Sequence, residues 1–302
     1  MNLLNYHKLP SEERLGKFLS TLSITNRTPE YYVNWNKVNR ETKKYEVELN
    51  TLNYLIGKDD IYLEALHLFT KQPNLLKAIP SLIASRDKVL DVLTIDENDN
   101  MTFEQLDFKT IDTSRIDDYM KFIEQSGLLN FLQQHANRSL VDYVYGVETG
   151  LDSNARKNRS GTTMEGILER HVAKISQEQK LEWKSQATAQ FIKDKWGIKV
   201  PVDKSERRFD VAVYSREKHK VWLIETNYYG GGGSKLKAVA GEFTELSQFV
   251  ITSNDDVEFV WVTDGQGWKT AHLPLAEAFS HIPNIFNLDM LKQGYLSELL
   301  TE

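Results

Sequence analysis

Three short runs between residues 209 and 264 constrain this chain more than anything else in it. Phe209–Tyr214 (FDVAVY) and Val221–Thr226 (VWLIET) are apolar, rich in β-branched residues, and joined by the polar stretch SREKHK. A pair of such runs with a short polar turn between them reads as an antiparallel β-hairpin. The helical pattern KLKAVAGEFTELSQFV follows, and then a third strand, Val257–Asp264 (VEFVWVTD). Hairpin, helix and strand in that order specify an α/β core around a mixed sheet. The nearly unbroken apolar run of the second strand places it centrally.

The region up to residue 140 reads differently. EVELNTLNYLIG, IYLEALHLFTKQ and SRIDDYMKFIEQSGLLNFLQQ repeat apolar residues at helical spacing. Gly57 closes the first run, Gly127 interrupts the third, and Pro80 breaks NLLKAIPSLIASRD. TFEQLDF reads as a short extended piece. Residues 1–140 are therefore expected to form a mostly helical region, and residues 141–302 a second domain. In the latter, VDYVYGVETGLDSNARKNRSG is expected to be an exposed loop, followed by a helix from about Thr163 to Ser176. LEWKSQATAQFIKDKW is expected to be a further helix, stopped at Gly197.

Composition excludes several chemistries. There is no cysteine, hence no disulfide scaffold, thiol nucleophile or Cys-based zinc site. No apolar stretch is long enough to span a bilayer, and the opening MNLLNYHKLPSEERLGKF lacks the basic-then-apolar pattern of a secretory signal, so a cytoplasmic protein is expected. The net charge of −6 argues mildly against nucleic-acid binding by bulk charge and leaves room for a local basic groove. The seven histidines are scattered without a metal-binding spacing.

The chemistry is concentrated in the hairpin. By alternation, Asp210 shares a face with Ala212 and Tyr214, and Glu225 shares one with Val221, Leu223 and Asn227. Asp210 begins its strand and Glu225 ends the next, so antiparallel pairing brings the two acids together. A carboxylate closing an apolar run is costly unless it is paired or binds a cation. Two converging carboxylates suit Mg²⁺, a hard cation that takes oxygen ligands and keeps waters. An acid at the head of one strand followed by acid-x-polar at the end of the next is the pattern of the PD-(D/E)xK nucleases, with Asn227 where a lysine is usual. Asn carries neither a base nor a positive charge, so it can only orient a water. Glu165, in i,i+4 relation to Glu169, is a candidate third carboxylate, and Lys235 a candidate replacement cation.

Two further segments point to a polynucleotide. After Asn227 comes Tyr228-Tyr229 and then Gly230–Gly233, which permit close backbone approach to another molecule. Gly231, Gly232, Ser234 and Lys235 are candidate phosphate contacts, the last two at a helix start that favours anions. A nucleotide P-loop is excluded, since Ser precedes Lys and Leu236 follows it. Upstream, Asn154, Arg156, Lys157, Asn158 and Arg159 carry the side-chain types that read base edges and phosphates.

The runs GLDSNARKNRSGTTMEGILE, RRFDVAVY and IETNYYGGGGSKLKAVAGEF, with the N-terminal segments EYYVNWNKV and NLLKAIPSLIASR, resemble the DpnII/MboI family of type II restriction endonucleases. The resemblance implies a restriction-endonuclease-like mixed-sheet core with helices on its faces, preceded by the helical region. It implies Mg²⁺-dependent cleavage of double-stranded DNA before the G of unmethylated GATC, in defence against incoming DNA and paired with a methyltransferase. It places Asp210 and Glu225 as metal ligands and Arg156, Lys157 and Arg159 as candidates for target reading. A palindromic target implies a homodimer. Two alternatives remain open at this level: a structure-specific or repair nuclease of the same fold, and a non-catalytic DNA-binding protein in which the acid pair is structural.

Overall fold

The computed structural model of the chain describes residues 2–95, 99–200, 207–253 and 256–301. It divides into two compact units, Glu30–Arg156 and Met1–Pro29 together with Lys157–Glu302. The first 29 residues thus group with the strand-bearing unit, whereas the sequence pattern places a single boundary at 140.

The unit Glu30–Arg156 is mostly helical. The helices Ile61–Lys71, Ile116–Gln125 and Leu128–Gln134 bury Phe69, Tyr119, Met120 and Leu132 in one core with Leu49, Leu52 and Leu76. Gly127 separates two of these helices at φ +79°, a left-handed conformation that suits glycine. The unit also carries a two-stranded antiparallel hairpin, β1 (Val89–Ile95) and β2 (Met101–Asp107). β2 covers all but the last residue of the extended piece expected at TFEQLDF.

The stretch expected to be an exposed loop is instead helical. One helix runs Leu140–Asn154 and the next Arg156–Gln179, so the latter begins well before Thr163. The polar residues that suggested a loop are partly buried and paired. Glu148 is 4% exposed and accepts from the Arg86 guanidinium at 2.6 Å. Asp152 is fully buried and accepts the Asn34 backbone N–H at 2.8 Å. A polar residue looks solvated in sequence; its burial depends on a partner far along the chain.

The other unit is built on a five-stranded sheet in the order β3 (Glu182–Thr188), β4 (Arg208–Ser215), β5 (Lys220–Tyr228), β6 (Val257–Asp264) and β7 (Ile285–Phe286). β3, β4 and β5 pair antiparallel; β5, β6 and β7 pair parallel. The expected hairpin and third strand are therefore present, with β5 central. LEWKSQAT is not helical: it forms β3, and only Ala189–Trp196 continues as a helix, closed by Gly197 at φ +75°. Leu, Glu, Lys, Gln and Ala favour helix locally, but an edge strand needs few apolar residues and pairing with β4 overrides the propensity.

Trp222, Trp261, Phe259, Val260 and Phe286 fill the core, with Met164, Leu168 and Val172 of the helix Arg156–Gln179 and Leu236, Ala240 and Phe243 of the helix Ser234–Ser253. Asp264, fully buried at the end of β6, accepts backbone N–H groups from Ser23 (2.7 Å), Gly265 (2.5 Å) and Leu288 (2.9 Å). One carboxylate thus ties the N-terminal segment and the C-terminal helices to the sheet. Among the described residues no helix is long and apolar enough to cross a membrane.

Candidate active site

The β4–β5 register runs from Ser215↔Lys220 to Val211↔Ile224. One step further sets Asp210 opposite Glu225. Ala212↔Leu223 and Tyr214↔Val221 show that the two faces inferred from alternation are the same face. The carboxyl groups of Asp210 and Glu225 are hydrogen-bonded to each other.

The electrostatics follow from that contact. Glu225 is 8% exposed; burial, and next the Asp210 charge, push its pKa up to about 9. Burial and the mutual charge of the two carboxyls thus favour keeping a proton on the pair. Asp210 is itself raised, first by burial. The Thr226 N–H (2.8 Å to Oδ2) and the Gln186 side-chain amide (3.4 Å to Oδ1) act in the opposite direction. Glu165, on the helix Arg156–Gln179, is also raised, by burial and then by the charges of Asp210 and Glu169. The carboxylate expected from a neighbouring helix thus shares the field of the pair.

Among the described residues no three His, Cys, Asp or Glu side chains are placed to hold a metal ion. The donor set is the Asp210–Glu225 pair. Mg²⁺ commonly takes one or two carboxylates, several waters and a substrate phosphate, so this pair, with Glu225 buried and Asp210 half-buried, fits that ion.

Several residues at the site escaped the sequence reading. Arg207, with a side chain 7% exposed, lies 3.6 Å from Glu225 Oε1 and 2.8 Å from Glu242 Oε1. The only signal for it was the doubled arginine before Phe209. Gln186, which meets Asp210, has φ +50° within β3, a strained conformation for a residue with a side chain. It lay in a segment read as helix. Asn227 follows Glu225 on the same face, and its Oδ1 accepts from Thr263 Oγ1 at 2.5 Å. Thr263 in turn accepts from Trp268 Nε1 at 2.8 Å.

Lys235 is exposed in the first turn of the helix Ser234–Ser253 and makes no ion pair with Asp210 or Glu225. Gly231, Gly232 and Ser234 are exposed as well. The glycines have an internal reason too. A Cβ on Gly232 would meet Thr270 Oγ1 at 2.3 Å, and one on Gly267 would meet the Gly231 carbonyl oxygen at 2.3 Å. The loop is packed against the 3₁₀ turn Gln266–Thr270, with Gly267 N–H donating to Tyr229 O at 2.8 Å.

Asn154, Arg156, Asn158 and Arg159 sit on helix ends and not on the expected loop. Asn154 and Asn158 are exposed, and Arg159 is half-buried. Arg156 Nε donates to Tyr32 O at 3.0 Å, and its guanidinium lies 5.9 Å from the Tyr32 ring centroid. The Lys157 side chain lies outside the described residues.

A mixed sheet whose antiparallel strands β4 and β5 set the half-buried Asp210 against the buried Glu225 fits a nuclease core. The sequence model of the DpnII restriction endonuclease family matches residues 14–298. The type II restriction enzyme LlaDCHI of Lactococcus lactis subsp. cremoris is 74% identical over 99% of this chain and 98% of its own length. The type II restriction enzyme MjaIII of Methanocaldococcus jannaschii is 43% identical, over 94% of this chain and 98% of its own. The type II restriction enzyme MboI of Moraxella bovis is 36% identical, over 94% of this chain and 95% of its own. No solved structure matches the chain. The chain belongs to the DpnII restriction endonuclease family, and its activity is that of a type II site-specific deoxyribonuclease.

Proposed function

We propose that this enzyme cuts double-stranded DNA before the G of unmethylated GATC, requires Mg²⁺, acts as a homodimer in the cytoplasm, and works beside a methyltransferase that protects the host. The observation that carries the metal requirement is the facing pair Asp210 and Glu225, brought onto one face by the antiparallel β4–β5 register with Glu225 buried. Asp210 and Glu225 would together offer a divalent cation two oxygen donors, and the ion would balance their charge. The resemblance of the Gly-rich and Arg/Asn segments to the family supports the target.

In this reading Asp210 and Glu225 hold the ion, which when bound polarises a phosphate oxygen and acidifies a water. Thr226 N–H keeps Asp210 Oδ2 in place, so the pair is oriented before the ion arrives. Glu225 would hold the ion as its carboxylate. Arg207, between Glu225 and Glu242, compensates charge at the back of the site. Glu165 contributes through the field it shares with Asp210. Gly231, Gly232, Ser234 and Lys235 are proposed to meet the DNA backbone, and Asn154, Arg156, Lys157, Asn158 and Arg159 to contact the duplex. The two units, divided near residue 156, are proposed to separate a helical region from the catalytic one.

The test is a digest of plasmid DNA lacking adenine methylation, with and without Mg²⁺, beside the same plasmid fully methylated at GATC. Discrete fragments with ends at GATC, formed only with Mg²⁺ and only from unmethylated DNA, are expected. Fragments ending elsewhere would refute the target. Cleavage of both plasmids would refute the methylation block, and cleavage in EDTA would refute the metal requirement.

A further inference from the structure

Asn227 stands where related nucleases carry a positive charge, and its neighbours decide which end of its amide can work. It follows Glu225 by two residues on one strand, so both side chains leave the same face of β5. β6 runs parallel beside it with Thr263 opposite Asn227. Thr263 is fully buried, and its hydroxyl lies 2.5 Å from Asn227 Oδ1 and 2.8 Å from Trp268 Nε1. An indole N–H only donates, so the hydroxyl oxygen accepts there and its single hydrogen is directed to Asn227. The chain of donors runs Trp268 to Thr263 to Asn227 Oδ1.

The head of this chain is rigid. Trp268 is fully buried, and its ring meets Trp261 edge-on at 5.3 Å between centroids and Tyr229 edge-on at 5.3 Å. Gly265, at φ +111°, lets the chain turn from β6 against the Tyr229 backbone, where a Cβ would fall 2.2 Å from Tyr229 O. A fixed indole thus fixes a buried hydroxyl, and the hydroxyl occupies the carbonyl end of the amide.

We propose that Thr263 and Trp268 are positioning residues that hold Asn227 with Nδ2 as its working end, a neutral hydrogen-bond donor to a non-bridging oxygen of the scissile phosphate. Asn227 then replaces the usual lysine as a donor to the phosphate, in place of the water-orienting role its side chain alone suggests, and takes no part as a base. Each bond in the relay gains strength from the low dielectric around it, and among the described residues only the Oδ1 end of the amide is hydrogen-bonded. The inference rests on the Asp210–Glu225 site being catalytic.

The experiment is a double-mutant cycle on the full-length protein: Thr263→Val, Asn227→Ala and the pair together, with Thr263→Ser as the conservative variant. Readouts are kcat and KM for GATC cleavage, DNA affinity in EDTA, and melting temperature. Thr263→Val is expected to lower kcat at least tenfold while KM and DNA affinity stay within about threefold. Thr263→Ser is expected to restore kcat to within about threefold. In the Asn227→Ala background Thr263→Val should add almost nothing, because the amide it orients is gone. A residue that merely supports the fold would lower activity equally in both backgrounds, and that result overturns the proposal, as does a wild-type kcat for Thr263→Val. Asp210→Ala is assayed alongside. If it cuts normally, the site reading fails; if it is inactive while the cycle shows no coupling, only the relay fails.

Discussion

Replacing Glu225 by Gln should make the metal-free protein more stable, and the gain should grow with pH. In the folded chain the Glu225 pKa is pushed from the ordinary 4.5 to about 9 by burial and by Asp210. The unfolded chain releases that proton near pH 4.5 and the folded chain keeps it, so folding is penalised as pH rises between the two values. The slope is about 1.4 kcal/mol per pH unit, which makes the penalty about 3 kcal/mol at pH 7 and about 6 kcal/mol once pH exceeds the folded value. Below pH 4.5 both states are protonated and the penalty vanishes. Gln has nothing to release, so this dependence disappears in Glu225→Gln. The assay is urea unfolding of wild type and variant in EDTA at several pH values from 4.5 to 9. The stability difference should widen steadily with pH, and Mg²⁺ added to wild type should recover part of it by binding only the folded state. A difference that stays flat with pH would refute the buried proton.

Three other outcomes follow from the same geometry. Asp210→Ala should still shift GATC-containing duplex in a gel yet form no cleavage product; fragments at the wild-type rate would remove Asp210 from the site. Arg207→Gln removes the guanidinium that lowers the Glu225 pKa, so the acid limb of the cleavage pH profile should move to higher pH, and an unmoved limb would mean Arg207 does not act on that carboxyl. Gly265→Ala places a Cβ 2.2 Å from Tyr229 O at a positive φ, so it should cost more than about 3 kcal/mol in urea unfolding, and a variant as stable as wild type would show that the turn can relax.

Period-two alternation is a local property of β-strands, and for that reason the acid pair was legible. Asp210 and Glu225 each fall on a definite face within a run of a few residues, and the short turn Arg216–His219 leaves one way to pair the strands. The helix Ser234–Ser253 and strand β6 were legible on the same terms. Only tertiary structure decided what surrounds the pair. β3 carries helix-favouring residues and becomes an edge strand because β4 offers it a ladder. Its Gln186 reaches Asp210 across 24 positions of sequence. Arg207 gained its meaning from Glu242, and Asn227 from Thr263, 36 residues on. Glu148 and Asp152 look like loop residues until Arg86 and the Asn34 backbone meet them in the interior. Alternation and turn length depend on neighbours along the chain, so one sequence specifies them; the partner of a buried polar group depends on which distant strand or helix packs against it, and that is settled only when the core closes.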